Sequence, residues 1–92
     1  IDANTALSYG LVNHVVPQTE LLEKANELAG KIAKNSPTAI TQAIKAVNAN
    51  FKDGTDGFNV EIDRFGYCFG TEDFKEGTTA FLEKRKADFK GN

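Results

Sequence analysis

The chain has 92 residues and a formal net charge of −2, with 40% apolar and 26% charged residues. This composition is typical of one small globular domain and argues against a disordered or membrane-spanning chain. The slight negative charge argues against nucleic acid as the main partner. The sequence has one cysteine and one histidine, which excludes a disulfide framework and a metal site made from these side chains.

The sequence contains no methionine, and its first residue is Ile1. Translation starts at methionine, and removal of that residue does not usually leave isoleucine. The chain also opens directly on a predicted element, without a signal peptide. We therefore expect it to be the carboxyl-terminal part of a longer protein. We expect a cytoplasmic location and leave a mitochondrial one open.

The beginning of the sequence predicts a short helix and one strand. Asp2 is a suitable N-cap for a helix over residues 3–9, and Gly10 is suited to end it. The next segment, "LVNHVV" at residues 11–16, is rich in β-branched residues and is followed by Pro17. The sequence has no second strand pattern, so we expect the partners of this strand to lie outside the chain.

The rest of the sequence predicts four helical segments. Apolar residues recur at helical spacing from Leu21 to Ile32, in a helix that starts at Thr19. Ser36 and Pro37 are suited to begin the second helix. The apolar positions of the second, third and fourth helices are, in that order, Ile40, Ile44, Val47 and Phe51; Phe58, Ile62, Phe65 and Phe69; and Phe74 and Phe81. The predicted fold class is therefore mainly α with one short strand.

The fourth helical segment starts at Thr71, which is a suitable N-cap. Glu72 and Asp73 follow in the first turn, where negative charge is favourable. Gly77 lies inside the segment, and we expect it to bend or split the helix.

Few acidic or nucleophilic residues are arranged for catalysis. Glu61 and Asp63 are two apart in a helix, point to different faces and are interpreted as a solvated surface. Asp73 and Glu76 are three apart and could share a face, but Asp73 is better explained as charge at the positive end of its helix. Cys68 lies beside aromatic residues and is interpreted as a small apolar side chain.

A cluster of basic residues follows the fourth helix. Its members are Lys84, Arg85, Lys86 and Lys90. In one interpretation they complement the negative end of the helix and keep the surface hydrated. In the other they form an anion site suited to phosphate, with the ring of Phe81 facing a nucleobase. Phe81 and Lys84 are three residues apart, so both would lie on one helix face.

Several stretches carry a family resemblance: "ALSYGLVNHVVP", "LAGKIAKNSPTAI", "AIKAVN" and "RFGYCFGTEDFKEGTTAFLEKRKADFKG". Together they resemble the carboxyl-terminal third of the enoyl-CoA hydratase/isomerase (crotonase) family, over nearly the whole chain. The most specific patterns are A-x-x-x-G-L-V-N-x-V-V-P and F-x-T-x-D-x-x-E-G-x-x-A-F-x-E-K-R. The sequence looks most like the short-chain enoyl-CoA hydratases. It departs from the pattern at Ala87, where many members have proline.

The resemblance implies a carboxyl-terminal helical region of a crotonase-type fold. Residues 1–17 would be the last helix and strand of a core made of repeated ββα units. Residues 18–92 would be a helical domain that covers the coenzyme A site and joins subunits into trimers, which often pair as hexamers. The implied partner is therefore a second copy of the protein.

The resemblance also implies chemistry. Hydratases of this family are lyases of fatty-acid β-oxidation that add water to 2-enoyl-CoA, with an oxyanion hole of two backbone N–H groups and two glutamates. None of these elements matches a position in this chain, so no catalytic residue is assigned. Phe65, Phe81 and Lys84 match family residues at the acyl-CoA site, and the last two approach its adenine and phosphate end from a neighbouring subunit. Acyl-CoA is then a substrate, with no cofactor, metal, nucleic acid or membrane implied.

Two other functions stay open. The longer protein could be an isomerase or another crotonase-type enzyme, because the acid–base groups that decide this lie outside the chain. Alternatively, the chain could be a stand-alone helical module that self-associates through its apolar faces. In either case we expect the 92-residue chain alone to be inactive.

Overall fold

The computed structural model describes residues 1–92 as helices joined by short turns. The helices are α1 (Ala3–Ser8), α2 (Leu21–Ala33), α3 (Pro37–Ala49), α4 (Gly57–Phe69) and α5 (Glu72–Leu82), with a 3-10 turn at Gln18–Glu20. The mainly α prediction is confirmed. No helix is both long enough and apolar enough to cross a bilayer.

The chain divides into two compact units, Ile1–Ile32 and Ala33–Asn92. This division falls after the predicted boundary between residues 17 and 18. The predicted boundary concerned the end of a core that lies mostly outside this chain, whereas the observed division concerns compactness within the chain. The predicted boundary therefore stays a prediction.

The strand predicted over residues 11–16 does not form in this chain. The segment has no regular secondary structure, and all of it except Val16 is exposed. A strand needs a neighbour to pair its backbone N–H and C=O groups. No other part of the chain is a strand, so this pairing is absent.

The first unit follows local sequence signals closely. The Asp2 carboxylate accepts a hydrogen bond from the N–H of Thr5 at 2.7 Å and caps α1. Gly10 follows with φ +72°, a conformation that glycine adopts without a steric penalty. The 3-10 turn then leads into α2, so the α-helix begins at Leu21 and not at Thr19.

The second unit is a set of three capped helices with contacts between α3 and α4 and between α4 and α5. Ser36, Asp56 and Thr71 each accept a hydrogen bond from a backbone N–H three residues later, at 3.1–3.2 Å. The only buried apolar residues are Ala49 and Ala80. Most large apolar side chains therefore stay at the surface of this chain.

Gly77 does not bend or split α5, because the helix is continuous from Glu72 to Leu82. Its role is steric. A β-carbon at residue 77 would lie 3.2 Å from Cε1 of Phe89, which comes from the chain after the helix. The absence of a side chain at Gly77 lets the Phe89 ring approach the helix closely.

Candidate functional site

The chain leaves α5 through a left-handed residue. The N–H of Lys84 donates to the carbonyl of Phe81 at 3.3 Å, and the N–H of Arg85 donates to that of Ala80 at 3.0 Å. This pair of bonds is the Schellman motif, and Lys84 occupies its left-handed position with φ 54°. The helix ends at Leu82, so Phe81 and Lys84 do not rise together on one helix face, and that prediction is wrong.

Phe81 and Lys84 are nevertheless both available at this helix end. The Phe81 side chain is 82% exposed and has no ring partner. The Lys84 ammonium is exposed and makes no ion pair. An aromatic ring and an unpaired cation thus lie within three residues of each other.

Arg85, in contrast, is fully engaged within the chain. Its two terminal nitrogens donate to the two carboxylate oxygens of Glu76 at 2.6 and 2.8 Å. Its Nε donates to Glu83 at 2.6 Å. The hydrogen bonds from Arg85, followed by one from the N–H of Asp88, lower the pKa of Glu76 to about 2. The charge of Arg85 is therefore balanced by two acidic side chains of the chain itself.

The predicted anion cluster of four basic residues is accordingly smaller in the structure. Lys90 binds the carboxylate of Asp88 at 2.6 Å, and this contact raises the pKa of Lys90. Only Lys84 and Lys86 have no acidic partner. The helix-end interpretation holds for Arg85 and Lys90 only in part, because their partners are acidic side chains and not helix carbonyls.

Asp73 lies in the first turn of α5, as predicted, and also has a second role. It is only 3% exposed. Its carboxylate accepts hydrogen bonds from Ser36 Oγ at 2.6 Å and from the N–H groups of Lys90 at 2.8 Å and Gly91 at 3.1 Å. These bonds, that from Ser36 first, lower its pKa. Asp73 thus joins the cap of α3 to the end of the chain.

This junction is not visible in the sequence because its partners are far apart along the chain. Ser36 lies 37 residues before Asp73, and Lys90 lies 17 residues after it. A carboxylate in the first turn of a helix is already explained by the helix dipole. The sequence therefore contained no signal of a second role.

Phe65 lies on α4, away from this helix end. Its ring contacts Phe69 edge-on at a centroid distance of 5.1 Å, and Phe69 contacts Phe74 at 4.6 Å. Phe65 also lines an open groove of ≈ 660 Å³ between α3 and α4. The structure gives it no ring contact with Phe81, so the three predicted coenzyme-binding residues fall into two groups.

The α3–α4 groove is mainly apolar but contains two unsatisfied polar atoms. Gln42 is 7% exposed, and its Oε1 has no hydrogen-bond donor. Nε of Arg64 is buried without an acceptor. Burying such groups without a partner is costly to the stability of the fold. Nothing in the spacing of the sequence distinguished these two residues.

Comparison with known proteins assigns the chain to a protein family. The family model described as enoyl-CoA hydratase/isomerase matches residues 1–92. The chain belongs to this family, which confirms the resemblance that its motifs indicated.

Particular relatives agree with this assignment. The chain is 44% identical over 90 residues to a crotonyl-CoA hydratase of Syntrophomonas wolfei, with 97% of this chain and 35% of the relative covered. It is also 44% identical over 89 residues to a short-chain-enoyl-CoA hydratase of Clostridium acetobutylicum, with 96% of this chain and 34% of that relative covered. The chain thus spans about a third of the length of the curated relatives it matches.

The fold agrees as well. The crystal structure of an enoyl-CoA hydratase from Bacillus anthracis superposes with a TM-score of 0.91 and 42% sequence identity. The superposition covers 100% of this chain and 36% of that one. The helices described above are therefore a recurrent part of a larger crotonase-type structure.

Proposed function

We propose that the chain is the carboxyl-terminal helical region of an enoyl-CoA hydratase, which converts 2-enoyl-CoA to 3-hydroxyacyl-CoA in fatty-acid β-oxidation. Family membership over residues 1–92 supports this proposal, as do the names of the relatives. The chain supplies no catalytic residue under this proposal. It contributes contacts to coenzyme A and to other subunits, in an enzyme that we place in the cytoplasm and that uses no cofactor.

The observation that carries the coenzyme role is the pair formed by Phe81 and Lys84. An exposed aromatic ring is suited to stack on adenine, and an unpaired ammonium is suited to bind phosphate. The end of α5 places both groups at the surface within three residues. Phe65, in the α3–α4 groove, is proposed to contact a different part of the acyl-CoA molecule.

Replacing Lys84 tests the coenzyme contact in the full-length enzyme. We expect Lys84→Ala to raise KM for crotonyl-CoA about tenfold and to leave kcat nearly unchanged, because a lost charge-assisted hydrogen bond removes uniform binding. Lys86→Ala is the matched control, since Lys86 is the other unpaired lysine of the cluster. Equal effects of the two replacements on KM, or a fall in kcat with KM unchanged, would contradict the role of Lys84.

A second function is favoured by the exposed apolar side chains of α3, of the turn that follows it and of α4. They are Ile44, Val47, Phe51, Phe58, Ile62 and Phe65. A patch of this kind is typical of an interface. We propose that it packs against the remaining enzyme core and neighbouring subunits, in a trimer or hexamer. Sedimentation analysis of the chain distinguishes this surface from a solvated one, and a monodisperse monomer would count against an oligomerisation module.

An isomerase is the alternative activity of the full-length enzyme. The acid–base groups that separate hydration from double-bond migration are not part of this chain. Assays with 2-enoyl-CoA and 3-enoyl-CoA substrates on the full-length enzyme decide between the two reactions. Hydration of crotonyl-CoA by the 92-residue chain alone, above the buffer rate, would contradict the assignment of all catalytic groups to the rest of the enzyme.

A further inference from the structure

Lys84 is unusual among the residues of this chain with left-handed backbone. The other positions with positive φ are glycines, namely Gly10, Gly54 and Gly91. The residue after the C-cap in a Schellman motif is usually glycine as well, because a β-carbon is strained there. Backbone strain at a non-glycine residue is found most often where function requires the side chain. We therefore expect contacts of neighbouring residues to hold Lys84 in the left-handed conformation.

The contacts on the far side of Lys84 tie the chain back to α5. Arg85 donates two hydrogen bonds to the carboxylate of Glu76, nine residues earlier. This ion pair is partly shielded from water, since the side chains of Arg85 and Glu76 are 41% and 25% exposed. Glu76 also accepts a hydrogen bond from the N–H of Asp88 at 2.7 Å. Glu76 thus holds both Arg85, which is next to Lys84, and Asp88, which is four positions after Lys84.

We propose that Glu76 is a positioning residue for coenzyme binding: through Arg85 it holds Lys84 in the left-handed conformation that directs the ammonium towards a phosphate group of coenzyme A. This inference rests on the proposed function. Arg85 lies beside Lys84, but its guanidinium is paired with the carboxylates of Glu76 and Glu83. The helix end therefore presents the Lys84 ammonium as a fixed external cation. Fixing the backbone in advance lowers the entropy that is lost when the phosphate binds.

The test is a double-mutant cycle in the full-length enzyme, with KM and kcat for crotonyl-CoA and the Kd of free coenzyme A from calorimetry. Lys84→Ala should raise KM and Kd about tenfold, and Glu76→Gln about threefold, with kcat nearly unchanged. The double variant should match Lys84→Ala within about twofold, because Glu76 acts only through Lys84. Glu72→Gln is the control, since the Glu72 carboxylate pairs with exposed Lys75 on the same helix and makes no hydrogen bond or ion pair to the chain after α5.

The outcomes separate the two proposals. If Lys84→Ala leaves KM and Kd unchanged, the coenzyme role of this helix end is wrong, and the positioning role falls with it. If Lys84→Ala weakens binding but Glu76→Gln has no effect, only the positioning role is wrong. The same conclusion follows if the double variant raises KM and Kd about thirtyfold, because the two effects are then independent. Arg85→Gln provides the same cycle should Glu76→Gln fail to fold. It removes the contact from the other end and leaves Glu76 free to accept from Asp88.

Discussion

Ser36 connects two helices through a single hydroxyl group. Its Oγ accepts a hydrogen bond from the N–H of Ala39 at 3.1 Å, which caps α3. The same oxygen donates its proton to Asp73 on α5 at 2.6 Å. Ser36→Ala removes both contacts and leaves the helical sequence of α3 unchanged. The variant therefore measures what the junction contributes to stability beyond an ordinary cap.

The expected loss follows from the two contacts. Removing a serine N-cap costs about 1 kcal/mol. Removing a hydrogen bond to a buried acceptor costs about 1 kcal/mol more. A total of about 2 kcal/mol corresponds to a factor of about 30 in the opening equilibrium. Thr71→Ala provides the comparison, because both hydrogen bonds of the Thr71 hydroxyl are to residues three positions away. Its acceptor, the Cys68 carbonyl, keeps the N–H of Thr71 as a donor in the variant. Thr71→Ala should cost about 1 kcal/mol, or about fivefold.

Amide hydrogen exchange measures these differences directly. Under conditions where exchange reports the opening equilibrium, α3 amides should exchange about thirtyfold faster in Ser36→Ala. The α5 amides should exchange about fivefold faster in Thr71→Ala. The amides of Lys90 and Gly91 should also lose protection in Ser36→Ala, since Asp73 holds both N–H groups. An increase in α3 exchange no larger than fivefold would show that the contact to Asp73 adds nothing to the cap.

Two further predictions concern contacts between α5 and the chain that follows it. The folded pKa of Glu76, about 2 against an ordinary 4.5, means that its contribution to stability is full above pH 4.5 and is lost as the pH falls towards 2. A carboxyl-carbon NMR titration with a midpoint near 4.5 would refute this assignment. Gly77→Ala adds helix propensity worth about 1 kcal/mol but also a β-carbon close to the Phe89 ring. It should therefore raise the melting temperature more in a Phe89→Ala background than in the wild type, and equal increases would exclude the steric role of Gly77.

The helices were predictable because their signals are local. Ser36 and Thr71 cap the helices that their positions indicated, through N–H groups three residues away. The apolar spacing of α3 and α4 likewise marked two neighbouring helices. These features need no information from elsewhere in the chain. The exception in this group is Gly77, whose helix is continuous although glycine has a low helix propensity.

The strand and the candidate site could not be predicted in the same way. A strand over residues 11–16 depends on pairing with another strand, and β-branched composition does not supply the partner. The positions of Phe81 and Lys84 depended on where α5 ends. Helix spacing put them on one face, but the helix stops at Leu82 and the next turn is left-handed. A lysine gives no sequence signal of that conformation, whereas glycine does.

The burial pattern links the structure of this chain to its proposed role. Only two alanines are buried apolar residues, whereas Phe51, Phe58 and Phe81 are each at least 79% exposed. Side chains of this size stabilise a protein only when they are removed from water. The fixed parts are instead the polar junctions around Asp73 and Glu76, which hold the end of the chain against α5. This arrangement is consistent with the proposed packing of the apolar surface against other parts of a larger assembly, while polar junctions hold the end of the chain in place.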